Sequence, residues 1–317
     1  MRVLMTGGTG FIGSYVARLL LARGDDVVAY DLLPDRNTLQ RILAPEEAAR
    51  VEIAPGDVTD LPLLLATIKR VRPERLVHLA YLLTDACQAN PPLALRVNGQ
   101  GTINVFEAAR TLDVPRVVWA SSIAVFGRRS VGPDGVVAND APHDPATIYG
   151  VCKSLNERYA RHYSRAYRQD LVGLRFPVVY GPGRMRGGGQ FVHELVERPA
   201  LGLPGRVPYA DEPVSWGYVE DIAAAIVAAL DAPAPRTRLY TVGGAVATVA
   251  EAAERVRAIL PDADLTVEPG GTIGLLARFD TAPAAAELGW APQVGLAEGI
   301  RRTIAYWQAD AKRASSP

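Results

Sequence analysis

Apolar positions along the first half of the chain follow two alternating rhythms. Short β-rich runs come at 3–5, 27–31, 51–57, 75–80, 116–121 and 171–176. Between them, at 14–23, 61–71, 93–111 and 149–167, apolar side chains return every third or fourth position. The first rhythm predicts strands and the second amphipathic helices, at the spacing of a parallel sheet wound on both faces. Past Pro177 the pattern breaks, and Gly181-Pro182-Gly183, Gly187-Gly188-Gly189, Pro199, Pro204 and Pro208 punctuate a loop-rich stretch. Helical periodicity returns at 219–230, 248–260 and 296–308, with a strand-like run at 239–242. No internal repeat or low-complexity segment interrupts the order.

The first strand runs into Thr6-Gly7-Gly8-Thr9-Gly10-Phe11-Ile12-Gly13, a glycine-rich turn that opens a helix near Ser14. Gly7 can take the angles of a tight turn, Gly10 lets the main chain approach a pyrophosphate, and Gly13 lets the helix lie close on the strand. Free N–H groups and the positive end of the helix then face an anion. The second strand ends at Asp31, eighteen residues after Gly13. An acid there accepts hydrogen bonds from adenosine ribose hydroxyls and repels a 2′-phosphate, which favours NAD over NADP. The expected fold is α/β: a Rossmann-type doubly wound parallel sheet with a smaller C-terminal substrate-binding lobe. The expected division is 1–177 with 213–243 for the NAD-binding part and 178–212 with 244–317 for the lobe, laid over the carboxyl ends of the strands.

Length and charge narrow the partners. A chain of 317 residues fits about two domains. Thirty-four basic residues balance thirty-four acidic ones, so electrostatics gives no case for nucleic acid or an anionic membrane. Met1 leads straight into the first strand and no apolar run reaches spanning length. That predicts a cytoplasmic protein without a signal peptide. Cys87 and Cys152 share no metal-type spacing, so they read as reduced thiols and no metal is expected.

Tyr149 and Lys153 stand four apart in a helical run, which puts phenol and ammonium on one face. A positive charge beside the hydroxyl, with an oxidised nicotinamide, lowers the tyrosine toward neutrality, where it serves as a general base. Lysine is rare here: Lys69, Lys153 and Lys312 are the only three. Ser121 and Ser122 end the fifth strand, where a hydroxyl can meet a substrate oxygen as its charge develops. His78 reads as a packing residue at a buried strand end, and Trp216 and Tyr218 as core or pocket wall.

These pieces jointly resemble the extended short-chain dehydrogenase/reductases, the NAD-dependent epimerase/dehydratase group, along essentially the whole chain. The match runs through the Thr6–Gly13 turn, Asp31, Gly56-Asp57-Val58, His78-Leu79-Ala80, Asn98, Ser121-Ser122, Tyr149 to Lys153, and Leu174-Arg175-Phe176-Pro177 before Val179-Tyr180-Gly181-Pro182. The resemblance implies a catalytic Ser122, Tyr149 and Lys153, with Lys153 also holding the nicotinamide ribose. It implies NAD held by Gly7, Gly10, Phe11, Ile12, Gly13, Asp31, Asp57, Val58, Leu79, Ala80, Asn98, Tyr149, Lys153, Phe176 and Val178. Substrate would meet Thr84, Ser122, Ile123, Tyr149, Gly188 and Gln190. A non-catalytic NAD-binding sensor would need neither Ser122 nor the Tyr149–Lys153 pair, and all three are present.

Two branches fit. The runs 82–91, 119–127, 147–153 and 187–189 resemble short-chain L-threonine dehydrogenases, although Gln190-Phe191 replaces the hydroxyl residues that follow their triple glycine, and Leu275 or Leu276 a tryptophan. The alternative is a nucleotide-sugar epimerase or dehydratase similar to the UDP-galactose 4-epimerases. There an asparagine and an arginine grip the diphosphate, and this chain has Val178 and Val214, with Arg184, Arg186 and Arg206 as possible substitutes. The first branch, a dehydrogenase of a small polar secondary alcohol, ranks ahead. The family also implies a homodimer through the 93–111 and 149–167 helices. Val97, Ile103, Val105 and Phe106 form the apolar stripe of one, and Leu155, Tyr159 and Tyr163 that of the other.

Overall fold

The computed structural model describes residues 1–34, 36–184, 190–233 and 235–314. Six strands, β1 (Arg2–Thr6), β2 (Asp26–Asp31), β3 (Glu52–Pro55), β4 (Arg75–His78), β5 (Val117–Ser122) and β6 (Leu171–Phe176), join strand Leu239–Thr241 in one sheet. Its order is Leu239–Thr241, β6, β5, β4, β1, β2, β3, and every pair is parallel. The chain winds outward from β1 through β3 and returns on the other side at β4. That reversal opens a crevice at the carboxyl ends of β1 and β4.

Alternation along β1 explains the uniformly apolar strands. Val3 and Met5 enter a core under helices Phe11–Ala22 and Val219–Asp231, whereas Leu4 enters a second core under Leu61–Val71 and Thr102–Thr111. Both faces are covered, so neither can be polar. A third core belongs to the lobe and gathers Tyr180, Phe191 and Trp216 against helices Val249–Ile259 and Leu296–Ala314.

The punctuated region after Pro177 holds short strands. Pro213–Tyr218 pairs in parallel with Val178–Tyr180 and antiparallel with Ala245–Thr248, apart from the main sheet. The helix that follows it, Val219–Asp231, packs on the main sheet. The 213–243 segment thus begins in the lobe's sheet and ends in the central one. Trp216 and Tyr218 are core residues, and the Trp216 indole donates to the Ala247 carbonyl at 3.0 Å.

The expected 93–111 helix is three windings end to end: Pro91–Ala94, a wider π-type turn over Leu95–Gly101, then Thr102–Thr111. The Asn98 carbonyl is drawn out of the helical ladder to accept from Thr102 Oγ1 and Asn156 Nδ2, each at 2.7 Å. The expected dimer stripe needs correction. Val105 and Phe106 are fully buried in the subunit's own core and Tyr163 nearly so, because they pack on Trp119 and β5. Leu95, Val151, Tyr159 and Tyr167 are the large apolar side chains these helices leave exposed. Among the described residues no helix is long and apolar enough to cross a membrane.

Candidate active site

At the crevice the glycines have steric reasons. Gly7 has φ +67°, and a Cβ there would lie 2.7 Å from the Ala80 nitrogen, where β1 and β4 end side by side. A Cβ on Gly13 would lie 2.7 Å from the Gly7 and Gly8 carbonyl oxygens, so the helix is pressed onto the turn itself. Gly10 is the N-cap of helix Phe11–Ala22 and carries no capping side chain, leaving the first-turn amides to an outside acceptor. Phe11 and Ile12 are partly exposed on that turn. Asp31 accepts from Thr9 Oγ1 at 2.8 Å and from Thr9 N at 3.3 Å, so the glycine turn and the acid form one unit. Thr9 is a partner the sequence did not single out.

The adenine side is similarly knit. Tyr30 donates its hydroxyl to the Asp57 carbonyl at 2.9 Å, and Asp57 Oδ1 accepts from Thr59 N at 2.8 Å. Val58 is buried against Gly101, and its carbonyl accepts from Asn104 at 3.0 Å. Leu79 is buried and Ala80 partly exposed at the crevice.

The polar cluster lies at the ends of β5 and of helix Ile148–Ala166. Alternation along the strand divides the serines. Ser121 points inward and donates to Glu157 Oε1 at 2.7 Å. Ser122 faces the Tyr149 phenol, and its Oγ accepts from Ala124 N at 3.2 Å. Burial holds the Tyr149 phenol well above its ordinary range, with the Tyr81 phenol adding to the rise, while Ser122 and the Arg184 guanidinium pull it down. Lys153 is almost fully buried and donates to the Ala120 carbonyl at 2.6 Å. Burial depresses it to about 7, against the opposing pull of Cys87, Cys152 and Glu157. The expected lowering of Tyr149 by Lys153 is therefore not the dominant effect in the chain alone: desolvation is, and the ammonium is directed to Ala120.

Asn98 reaches the floor of the site but is fully buried. Its amide is committed to the Leu82 backbone, 2.7 and 2.9 Å away, and to Cys87 Sγ at 3.3 Å. It shapes the loop after β4 and presents no free face. His78 is bonded to Thr6 Oγ1 at 2.6 Å and Thr102 Oγ1 at 3.0 Å, and burial, with Lys153 nearby, holds it down at about 3. It is a neutral packing residue, as its strand position suggested. Ile123 is buried beside Ser122, and Thr84 is partly exposed at the start of helix Thr84–Ala89. Phe176 and Val178 are buried in the main and lobe cores respectively. Gly188 and the Gln190 side chain lie outside the described residues. Among the described residues no cluster of His, Cys, Asp or Glu is arranged to hold a metal.

Tyr81 and Glu157 escaped the sequence reading, and Arg175 was matched there without a role. Tyr81 faces Tyr149, and Arg175 with Glu157 forms a fully buried ion pair at 2.8 Å behind Ser121. The signal for Glu157 was present: it stands one further turn from Lys153 on the same helix face.

Residues 3–243 match the NAD dependent epimerase/dehydratase family. The chain belongs to that family. It is an NAD-dependent enzyme of the short-chain dehydrogenase/reductase superfamily. A UDP-glucose 4-epimerase of Mycolicibacterium smegmatis is 32% identical over 319 residues, spanning 97% of this chain and 99% of that one. A D-erythronate dehydrogenase of Cupriavidus necator is 33% identical over 222 residues, 68% of this chain and 67% of that one. The structure of a Thermus thermophilus UDP-glucose 4-epimerase in complex with NAD superposes with a TM-score of 0.84 at 29% identity, covering 97% of this chain and 99% of that one.

Proposed function

We propose that the protein is a dehydrogenase of a small polar secondary alcohol, with Tyr149 as the general acid/base. When bound, NAD would supply the hydride acceptor for oxidation of the alcohol to a ketone. Tyr149 takes the hydroxyl proton, Ser122 holds the substrate oxygen, and Lys153 supplies positive charge to the phenolate. The glycine turn and the helix end at Gly10 would hold the pyrophosphate, and Asp31 the adenosine ribose.

The observation that carries this reading is where the two valines lie. Val178 and Val214 stand where the epimerase pattern has diphosphate-gripping residues, and both are buried in the lobe's core beside Trp216. Of the three arginines offered as substitutes, Arg206 is paired with Asp264 at 2.8 Å, and Arg186 lies outside the described residues. Arg184 is partly buried and near the Tyr81 and Tyr149 phenols, and no acid is within ion-pair distance of it among the described residues. One guanidinium suits one anionic group, which favours hydroxy acids within the class. The name of the Cupriavidus necator relative points the same way. A nucleotide-sugar epimerase is the second reading, favoured by the full-length similarity to the Mycolicibacterium smegmatis enzyme.

The test is NADH formation across a panel of small hydroxy acids, amino alcohols and free sugars. NADH should accumulate with at least one hydroxy acid. Tyr149→Phe should bind NAD and lose most turnover, and full activity in that variant would remove the mechanism. Turnover of UDP-, GDP- or dTDP-sugars without net NADH would select the second reading. We place the enzyme in the cytoplasm as a homodimer through Leu95, Val151 and Tyr159 of the two exposed helix faces. A sedimentation mass of one chain would remove the dimer.

A further inference from the structure

Directly after Ala80 the chain sets an aromatic residue into the site. The Lys153 ammonium lies 3.9 Å from the centroid of the Tyr81 ring. The same nitrogen is 5.5 Å from the Tyr149 centroid, and the two tyrosine rings stand 6.2 Å apart at 55°. A buried ammonium must replace its hydration shell. The nearest acid is poorly placed to do so, since Glu157 is bound through both oxygens by Arg175 and through one of them by Ser121.

Apart from Glu157, no carboxylate is among the groups that act on the ammonium. His78 is neutral, and burial keeps the Cys87 and Cys152 thiols and the Tyr149 phenol protonated. Arg184, of like charge, stands toward the two phenols. Burial pushes Tyr81 up to about 12, so it offers a neutral ring rather than a proton. The face of such a ring is the negative end of its quadrupole, and its attraction for a cation grows as water is excluded.

We propose that Tyr81 is a positioning residue for the reaction: its ring face, with the Ala120 carbonyl, forms the cage that keeps Lys153 charged at the edge of Tyr149. This rests on Tyr149 and Lys153 being the proton-handling pair. A ring face favours the charged form, so removing it lowers the lysine's titration midpoint.

With only Lys69, Lys153 and Lys312 in the chain, [13Cε]lysine labelling gives three NMR titration curves. Lys69 and Lys312 are exposed, and Lys153 is assigned by its loss in Lys153→Met. In Tyr81→Leu the Lys153 midpoint should fall by about one pH unit, while Tyr81→Phe, which keeps the face, should stay within a few tenths of wild type. A midpoint in Tyr81→Leu equal to wild type, or an equal fall in both variants, would overturn the proposal. Should Tyr81→Leu fail to fold, progressively fluorinated phenylalanines at position 81 keep the shape while draining the ring face. The midpoint should then fall stepwise with fluorine count, and an unchanged one would overturn it. The titration needs no substrate, so its outcome is separate from the NADH panel's.

Discussion

Ser121 and Ser122 are chemically identical neighbours, and one step along β5 sends them to opposite sides. Ser121 is consumed by Glu157, whereas Ser122 is turned to the side of Tyr149, whose phenol it draws down. Ser122→Ala should therefore lower kcat/KM roughly a hundredfold or more, through loss of a donor to the developing oxyanion. Ser121→Ala should instead act on stability, by leaving one Glu157 oxygen short of a partner. Steady-state kinetics on both variants checks the division, and an equal loss of rate in the two would contradict it. Much at this scale was legible in the sequence, because glycine positions, strand ends and an i, i+4 pair are local patterns. Tyr81 was not, since its meaning depends on a lysine arriving from a helix far along the chain.

At the scale of elements, helix Ile148–Ala166 presents Tyr149, Lys153 and Glu157 on successive turns of one face. Glu157 ties that face to β6 through Arg175, with His143 Nε2 3.0 Å away. Burial alone would raise this carboxyl, yet the Arg175 hydrogen bonds and charge, with His143, bring it down to about 2. A carboxyl depressed in the fold contributes stability above its unfolded value near 4.5, and loses it as pH falls toward 2. His78, depressed to about 3, adds acid lability below 6.5 for the same reason: the unfolded chain binds the proton first. Arg175→Met strands the Glu157 carboxylate and should cost about 3–5 kcal/mol at pH 7, with a smaller penalty once Glu157 is protonated. Urea midpoints of variant and wild type at pH 7 and pH 4 measure both effects, and an equal midpoint at pH 7 would contradict the role given to the pair. The main helices and strands could be read from periodicity. The π-type turn over Leu95–Gly101 could not, because the bonds that draw out the Asn98 carbonyl are side-chain and tertiary. Nor could the lobe's short strands, which are hidden among prolines and glycines and pair with partners remote in sequence.

For the whole molecule, the crevice lies at the carboxyl ends of β1 and β4 and the polar cluster at the ends of β5 and helix Ile148–Ala166, while the lobe keeps a core and strands of its own. The fold and the NAD chemistry follow from the sheet order and the family. The distinction between a net dehydrogenase and an epimerase rests on finer matters, the buried Val178 and Val214 and the environment of Arg184. It also makes opposite demands on the cofactor. An epimerase returns its hydride within each turnover and can keep its NAD, whereas a dehydrogenase must release NADH. The most direct measurement is the NAD content freed on denaturing protein that was purified without added cofactor. The dehydrogenase account predicts an empty site that refills with NAD+ at micromolar or weaker affinity, and near-stoichiometric release of tightly held NAD would contradict it.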